Sequence, residues 1–114
     1  MYIIIPIIVF LGTAYGGYVL SNQIKKEKSI LSPVLDFHRY SAIAGIIILA
    51  IVILFSDTTN LSIAAFVILL GAFFGGVFLF RLVFKNQLPP MLMIYGHGGI
   101  AIMGIVLLIT TLFT

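Results

Sequence analysis

Four apolar runs, each near the length of a bilayer's hydrocarbon core, follow one another along this chain at about residues 2–22, 34–56, 61–84 and 91–113. A helix needs ~20 apolar residues to cross ~30 Å of hydrocarbon. Backbone groups in lipid must be satisfied within the segment, and apolar runs of this length achieve that as helices. Membrane β-strands would be about ten residues long with alternating polarity, and no such alternation occurs. The expected fold is therefore all-α and integral to the membrane: one four-helix bundle spanning residues 1–114.

Composition agrees with the run lengths. Apolar residues make up 62% of the 114 and charged residues only 8%. Mean hydropathy is +1.31. A soluble domain carries about 25% charged residues, so nine charged side chains cannot wet a surface of this size. The first run has no basic residue before it, and Lys25, Lys26 and Lys28 follow it. That is the reverse of a signal peptide, so it reads as a helix of the mature protein. The chain has no cysteine, which excludes disulfides, thiolate metal sites and thiol nucleophiles.

All six basic residues lie near two connections: Lys25, Lys26, Lys28 and Arg39 at the first, and Arg81 and Lys85 at the third. Asp57 and Asn60 lie on the opposite side. By the positive-inside rule both termini face outward, with a bacterial inner membrane as the expected setting. The net charge of +3 is then a topology signal, and nucleic acid is not an expected partner.

The chain also resembles itself. Displaced by 59 positions, residues 3–55 lie on residues 62–114 without a gap, and 13 of the 53 positions are identical. Gly12, Gly16, Gly17, His38 and Gly45 fall on Gly71, Gly75, Gly76, His97 and Gly104. These are the only two histidines in the sequence. The expectation is a duplicated helical hairpin whose halves run parallel, related by a pseudo-two-fold axis along the membrane normal. Such an axis puts the two histidines at one depth, facing each other, with the glycines nearby.

A histidine inside a membrane helix is rare and marks a functional site by default. Two in equivalent places, among missing side chains, suggest a flat, bulky group held from both faces. Haem b has that shape: its iron takes two axial imidazoles and its macrocycle needs an apolar slot between closely approaching backbones. Arg39 and Arg81, with Lys25 and Lys85, would neutralise propionates at the cytoplasmic rim, and Tyr40 and Tyr95 would donate to them. Plainer roles compete. The Gly-xxx-Gly spacings are those of ordinary helix packing. Arg39 and Arg81 suit snorkelling anchors, Met91, Met93 and Met103 suit packing, and Pro33 and Pro89-Pro90 suit helix starts.

With one histidine per hairpin near a membrane face and glycines at the same height, the chain resembles the small cytochrome b561-type membrane haem proteins. The resemblance covers the helical core and implies His38 and His97 as axial ligands. Members of that family commonly hold two haems on four histidines, whereas two histidines allow one haem per chain, or haems shared across a homodimer. The leading expectation is a mono-haem electron carrier exchanging electrons with a membrane quinone or a partner protein. If it turns over a substrate, it is a membrane oxidoreductase linked to quinone or superoxide. The alternatives are a small transporter, disfavoured by the lack of a carboxylate deep in a helix, and a structural or haem-delivery subunit. Two imidazoles alone fall short of a zinc or copper site, and no hydrolytic triad or phosphate loop is present.

Overall fold

A computed structural model describes residues 2–26, 32–56, 58–85, 87 and 89–113. Lys28 and Asp57, which entered the reading of orientation, lie outside the described residues. The chain forms four helices: α1 (Ile4–Lys25), α2 (Ser32–Phe55), α3 (Asn60–Phe84) and α4 (Met91–Thr110), the last closing in a 3₁₀ turn, Thr111–Phe113. All four are long and apolar enough to cross a membrane. They pack as an elongated bundle 44 Å long, close to the ~40–45 Å of a bilayer with its headgroups. The protein is an integral membrane protein.

The helix bounds depart from the apolar runs where polar residues continue a helix into the interface. α1 runs on through Asn22, Gln23 and Ile24 to Lys25, because those backbone groups remain satisfied along the helix after hydrocarbon ends. α2 starts at Ser32, two residues before the apolar run, with Pro33 in its first turn, where a missing N–H costs nothing. α4 starts directly after Pro90, which is extended. α3 is capped by the Thr59 side chain, which accepts from the Ser62 backbone N–H.

Large apolar side chains line the outside of every helix; Tyr15, Leu54, Phe55, Phe84 and Leu92 are all exposed. That is the pattern of helices that meet lipid rather than water. The buried cluster is small and lies toward one end. It joins Ile3, Ile7 and Phe10 at the start of α1, Leu49 and Val52 late in α2, Ala65 and Leu69 early in α3, and Ile105 and Leu108 late in α4. The two hairpins, α1–α2 and α3–α4, are closely packed within themselves and only lightly against each other. The histidines lie toward the other end, away from the aliphatic cluster.

Candidate functional site

His38 is six residues into α2 and His97 six residues into α4. Each therefore lies about 9 Å inside its helix end, at ~1.5 Å per residue. The start of α2 at Ser32 places His38 somewhat deeper than the apolar run alone implied. The rings meet across the seam between hairpins, with centroids 6.2 Å apart and planes at 89°.

The glycines of α1 and α3 let this happen. A Cβ at Gly17 would lie 2.9 Å from His38 Cε1, and one at Gly76 would lie 3.0 Å from His97 Cε1. The first is shorter than real Cβ contacts and the second tighter than nearly all of them, so each imidazole occupies the space of an absent side chain. Gly45 and Gly104 behave alike one level away. A Cβ there would meet Phe10 and Leu69, each at 2.7 Å. Phe10 and Leu69 are themselves 59 residues apart, as are the glycines and the histidines. The same two contacts thus recur in both hairpins, at the same register.

Around the rings the hairpins differ. His38 Nδ1 lies 2.8 Å from the Thr13 carbonyl. A carbonyl only accepts, so Nδ1 carries the proton and Nε2 keeps its lone pair. The Thr13 hydroxyl lies 2.7 Å from Ser41 Oγ, and Ser41 donates back to the His38 carbonyl. This polar ring ties α1 to α2. In the second hairpin, Ala72 and Ile100 stand in place of Thr13 and Ser41. The Ala72 carbonyl lies beside the His97 ring, as the Thr13 carbonyl does beside His38, but in a looser geometry that leaves the buried Nδ1 short of a full hydrogen bond.

The space beside the rings differs too. In the first hairpin the Phe37 ring lies over the glycines of α1, 3.6 Å from a Cβ at Gly12 and 3.1 Å from one at Gly16. Gly96 replaces Phe37 in the second, and nothing lies within 4 Å of a Cβ at Gly71 or Gly96. A groove of about 300 Å³ results between α3 and α4, lined among others by Gly71, Ala72, Gly75, Met93, His97 and Ile100.

Arg39 is engaged at its own turn: its guanidinium pairs with Asp36 at 2.7 Å and stacks 4.5 Å from the Tyr40 ring and 4.9 Å from the Phe80 ring. Arg81 and Lys85 border a shallow depression with Phe80 and Phe84 at the same end of the bundle. Of the residues singled out by sequence, His38, His97, Gly17 and Gly76 converge, with Gly16 and Gly75 adjoining. Gly45 and Gly104 are sites of close helix packing, and Gly12 and Gly71 flank the lipid-facing grooves. Thr13, Ser41 and Phe37 escaped the sequence reading. The signal for Ser41 was its place one helical turn after His38; Thr13 lay unremarked inside the glycine-rich segment.

The donor set bears on which groups the pair would hold. Among the described residues no cluster of three or more His, Cys, Asp or Glu occurs, so a tetrahedral ion would lack protein ligands. A macrocycle brings four donors of its own and asks the protein for only two. Two axial imidazoles on one metal put their ring centres roughly 6.3 Å apart, from metal–nitrogen bonds of about 2.0–2.1 Å and ~1.1 Å from nitrogen to ring centre. The observed 6.2 Å matches. A protonated Nδ1 on a backbone carbonyl, as at His38, is also the usual outer support of a ligating imidazole. The imidazole pair fits the two donors that such a macrocycle would ask of the protein. No protein-family model, curated protein or solved structure matches this chain.

Proposed function

We propose that the protein is a mono-haem b cytochrome of the membrane, with His38 and His97 as axial ligands, passing electrons to or from a membrane quinone or a redox partner. The observation that supports this reading is the imidazole pair: two rings facing across the seam with centroids 6.2 Å apart, close to the spacing that two imidazoles on one metal would need. When bound, the haem supplies one-electron chemistry, and two axial imidazoles leave its iron no open position for oxygen chemistry. The chain's own residues do the rest. Thr13 holds the His38 tautomer, Gly17 and Gly76 make room for the rings, and the lightly packed seam between hairpins is where a flat group would enter.

Arg81, Lys85 and Lys25 are basic groups available to the propionates at that end of the bundle, while Arg39 is already paired with Asp36. With the basic residues gathered there, the same end faces the cytoplasm of a bacterial inner membrane and both termini face outward. The reading supports a likeness in kind to the cytochrome b561-type proteins. The direct test is absorption spectroscopy of His38→Ala and His97→Ala. Each variant is expected to lose the low-spin haem spectrum completely while remaining in the membrane. A normal spectrum in either variant would overturn the ligand assignment.

A further inference from the structure

We propose that the two imidazoles hold their metal unequally: His38 is the fixed ligand and His97 the exchangeable one, whose ring turns into the groove between α3 and α4 and gives up its position to a diatomic gas such as carbon monoxide. The exchange rests on the haem reading above. The unequal hold on the two rings is a property of the chain itself, and two differences between the hairpins carry it.

The first difference is in what fixes each ring from behind. His38 Nδ1 donates to the Thr13 carbonyl at 2.8 Å. The Thr13 hydroxyl bonds to Ser41 Oγ at 2.7 Å, and Ser41 donates to the His38 carbonyl at 3.1 Å. The circuit closes on itself, so the residue whose carbonyl holds the ring is tied in turn to the helix that carries the ring. At His97 the Ala72 carbonyl plays the part of Thr13, but Ala72 and Ile100 stand where the two hydroxyls were. Neither side chain can tie that carbonyl to α4, and the buried Nδ1 falls short of a full hydrogen bond. Outer hydrogen bonds orient a ligating imidazole and raise its basicity, and losing one costs about 10–100-fold in metal affinity. His97 is the less firmly held ligand.

The second difference is in where each ring can go. Phe37 lies 3.1 Å from a Cβ at Gly16, and the His38 Cβ lies 3.5 Å from the same point. His38 is thereby hemmed in between α1 and a neighbouring aromatic ring. Gly96 stands at the equivalent place in the second hairpin, with Gly98 and Gly99 where the first has Arg39 and Tyr40. Nothing lies within 4 Å of a Cβ at any of the three. His97 is itself one of the residues lining the groove of about 300 Å³. A side chain moves between staggered rotamers only where packing leaves space, and here the space adjoins the ring that is less firmly held. The groove is exposed at Gly71, Met93 and Ile100, so an apolar gas reaches it through the bilayer.

The exchange breaks the iron–nitrogen bond to His97 and forms an iron–carbon bond in its place. No electron or proton moves: His97 leaves neutral, with its proton on Nδ1. At rest both rings ligate, so the electron-carrier reading is kept, with one side able to exchange.

The test uses the haem-loaded protein in nanodiscs, reduced with dithionite and titrated with carbon monoxide. The expected result is a saturable carbon monoxide spectrum from a protein that is low-spin before the gas is added. Two variants should each weaken carbon monoxide binding about tenfold or more, in line with the effect of outer support on a metal ligand, and leave the gas-free spectrum unchanged. They are Gly96→Phe, which restores the ring found in the first hairpin, and the double variant Ala72→Thr with Ile100→Ser, which restores its hydroxyls. Phe37→Gly opens the first side but keeps the Thr13 support, so its affinity should stay as in the parent protein. No carbon monoxide spectrum at saturating gas, or binding untouched by both Gly96→Phe and the double variant, would overturn the inference and leave the haem reading standing. Tighter binding in Phe37→Gly would overturn it as well, by making His38 the ligand that leaves. A colourless protein removes the haem and leaves the unequal hold to be read by nitrogen NMR of isotopically labelled histidine in the same nanodiscs. One ring fixed as the Nδ1–H tautomer and one exchanging between rotamers would sustain it; two rings alike would overturn it.

Discussion

The two hairpins share their deep contacts and differ at their lipid-facing ones. A residue of the first helix packs onto a glycine of the second in both, Phe10 on Gly45 and Leu69 on Gly104, and an imidazole fills a missing side chain in both. Outside these points the first hairpin is finished. Phe37 covers its glycines, and Thr13 and Ser41 complete the polar partners of His38. The second has Gly96, Ala72 and Ile100 at those places and an open groove. The lesson is about which contacts a repeated scaffold needs. Close backbone approach sets the geometry of the histidines, and it is retained. The surroundings of the rings differ between the hairpins, and one side is open.

The largest effects are expected at the shared contacts. Gly17→Leu and Gly76→Leu put a side chain where an imidazole ring now lies and should displace it. Both are expected to abolish the haem spectrum, checked in purified protein beside a circular dichroism spectrum that shows the helices intact. Equal effects in the two hairpins support the shared role; an effect in only one would contradict it.

The next effect in size is on stability. Gly45→Leu and Gly104→Leu drive a side chain into Phe10 and Leu69, and overpacking of this kind costs about 1–3 kcal/mol. Unfolding by SDS titration should show both variants weakened by similar amounts. A neutral result in either would mean that the neighbouring helix yields without cost.

The difference between hairpins is sharpened by a smaller pair. Gly16→Val meets the Phe37 ring, whereas Gly75→Val has only His97 Nδ1 at 3.8 Å from its Cβ. The first should be destabilised by about 1 kcal/mol more than the second, within the range for overpacking. Equal costs would say that the Gly75 groove closes up in the membrane. Smallest of all is Thr13→Val, which removes the hydroxyl bonded to Ser41 but keeps the carbonyl that holds His38. Interhelical hydrogen bonds in membranes average about 0.6 kcal/mol, so SDS titration should show a loss of that order with no spectral change.

Much of this architecture was legible before any coordinates. Run length reports helix number because bilayer thickness fixes it, and counting along helices placed the histidines at one depth. Pro33 and Pro90 marked helix starts because a missing N–H is harmless there. What the residues alone left open was rotation. Whether a glycine faces a ring, an aliphatic side chain or lipid depends on how each helix turns about its axis, and helices that are apolar all round give no clue to that. Gly45 therefore reads like Gly17 in sequence, although one packs on Phe10 and the other on His38. The pairing of Arg39 with Asp36 three residues earlier was within reach, since that spacing brings side chains together on a helix. The contrast of Phe37 with Gly96 was also visible in the alignment of the halves. It gained meaning only once Phe37 was seen to lie on the glycines of α1.

Ligation of one haem by the paired imidazoles is read out by the absorption spectrum of the purified protein, oxidised and then reduced with dithionite. The expected result is a Soret band that shifts on reduction with resolved α and β bands, and one haem per chain by pyridine haemochrome. A protein that is colourless and stays colourless when given hemin would contradict it.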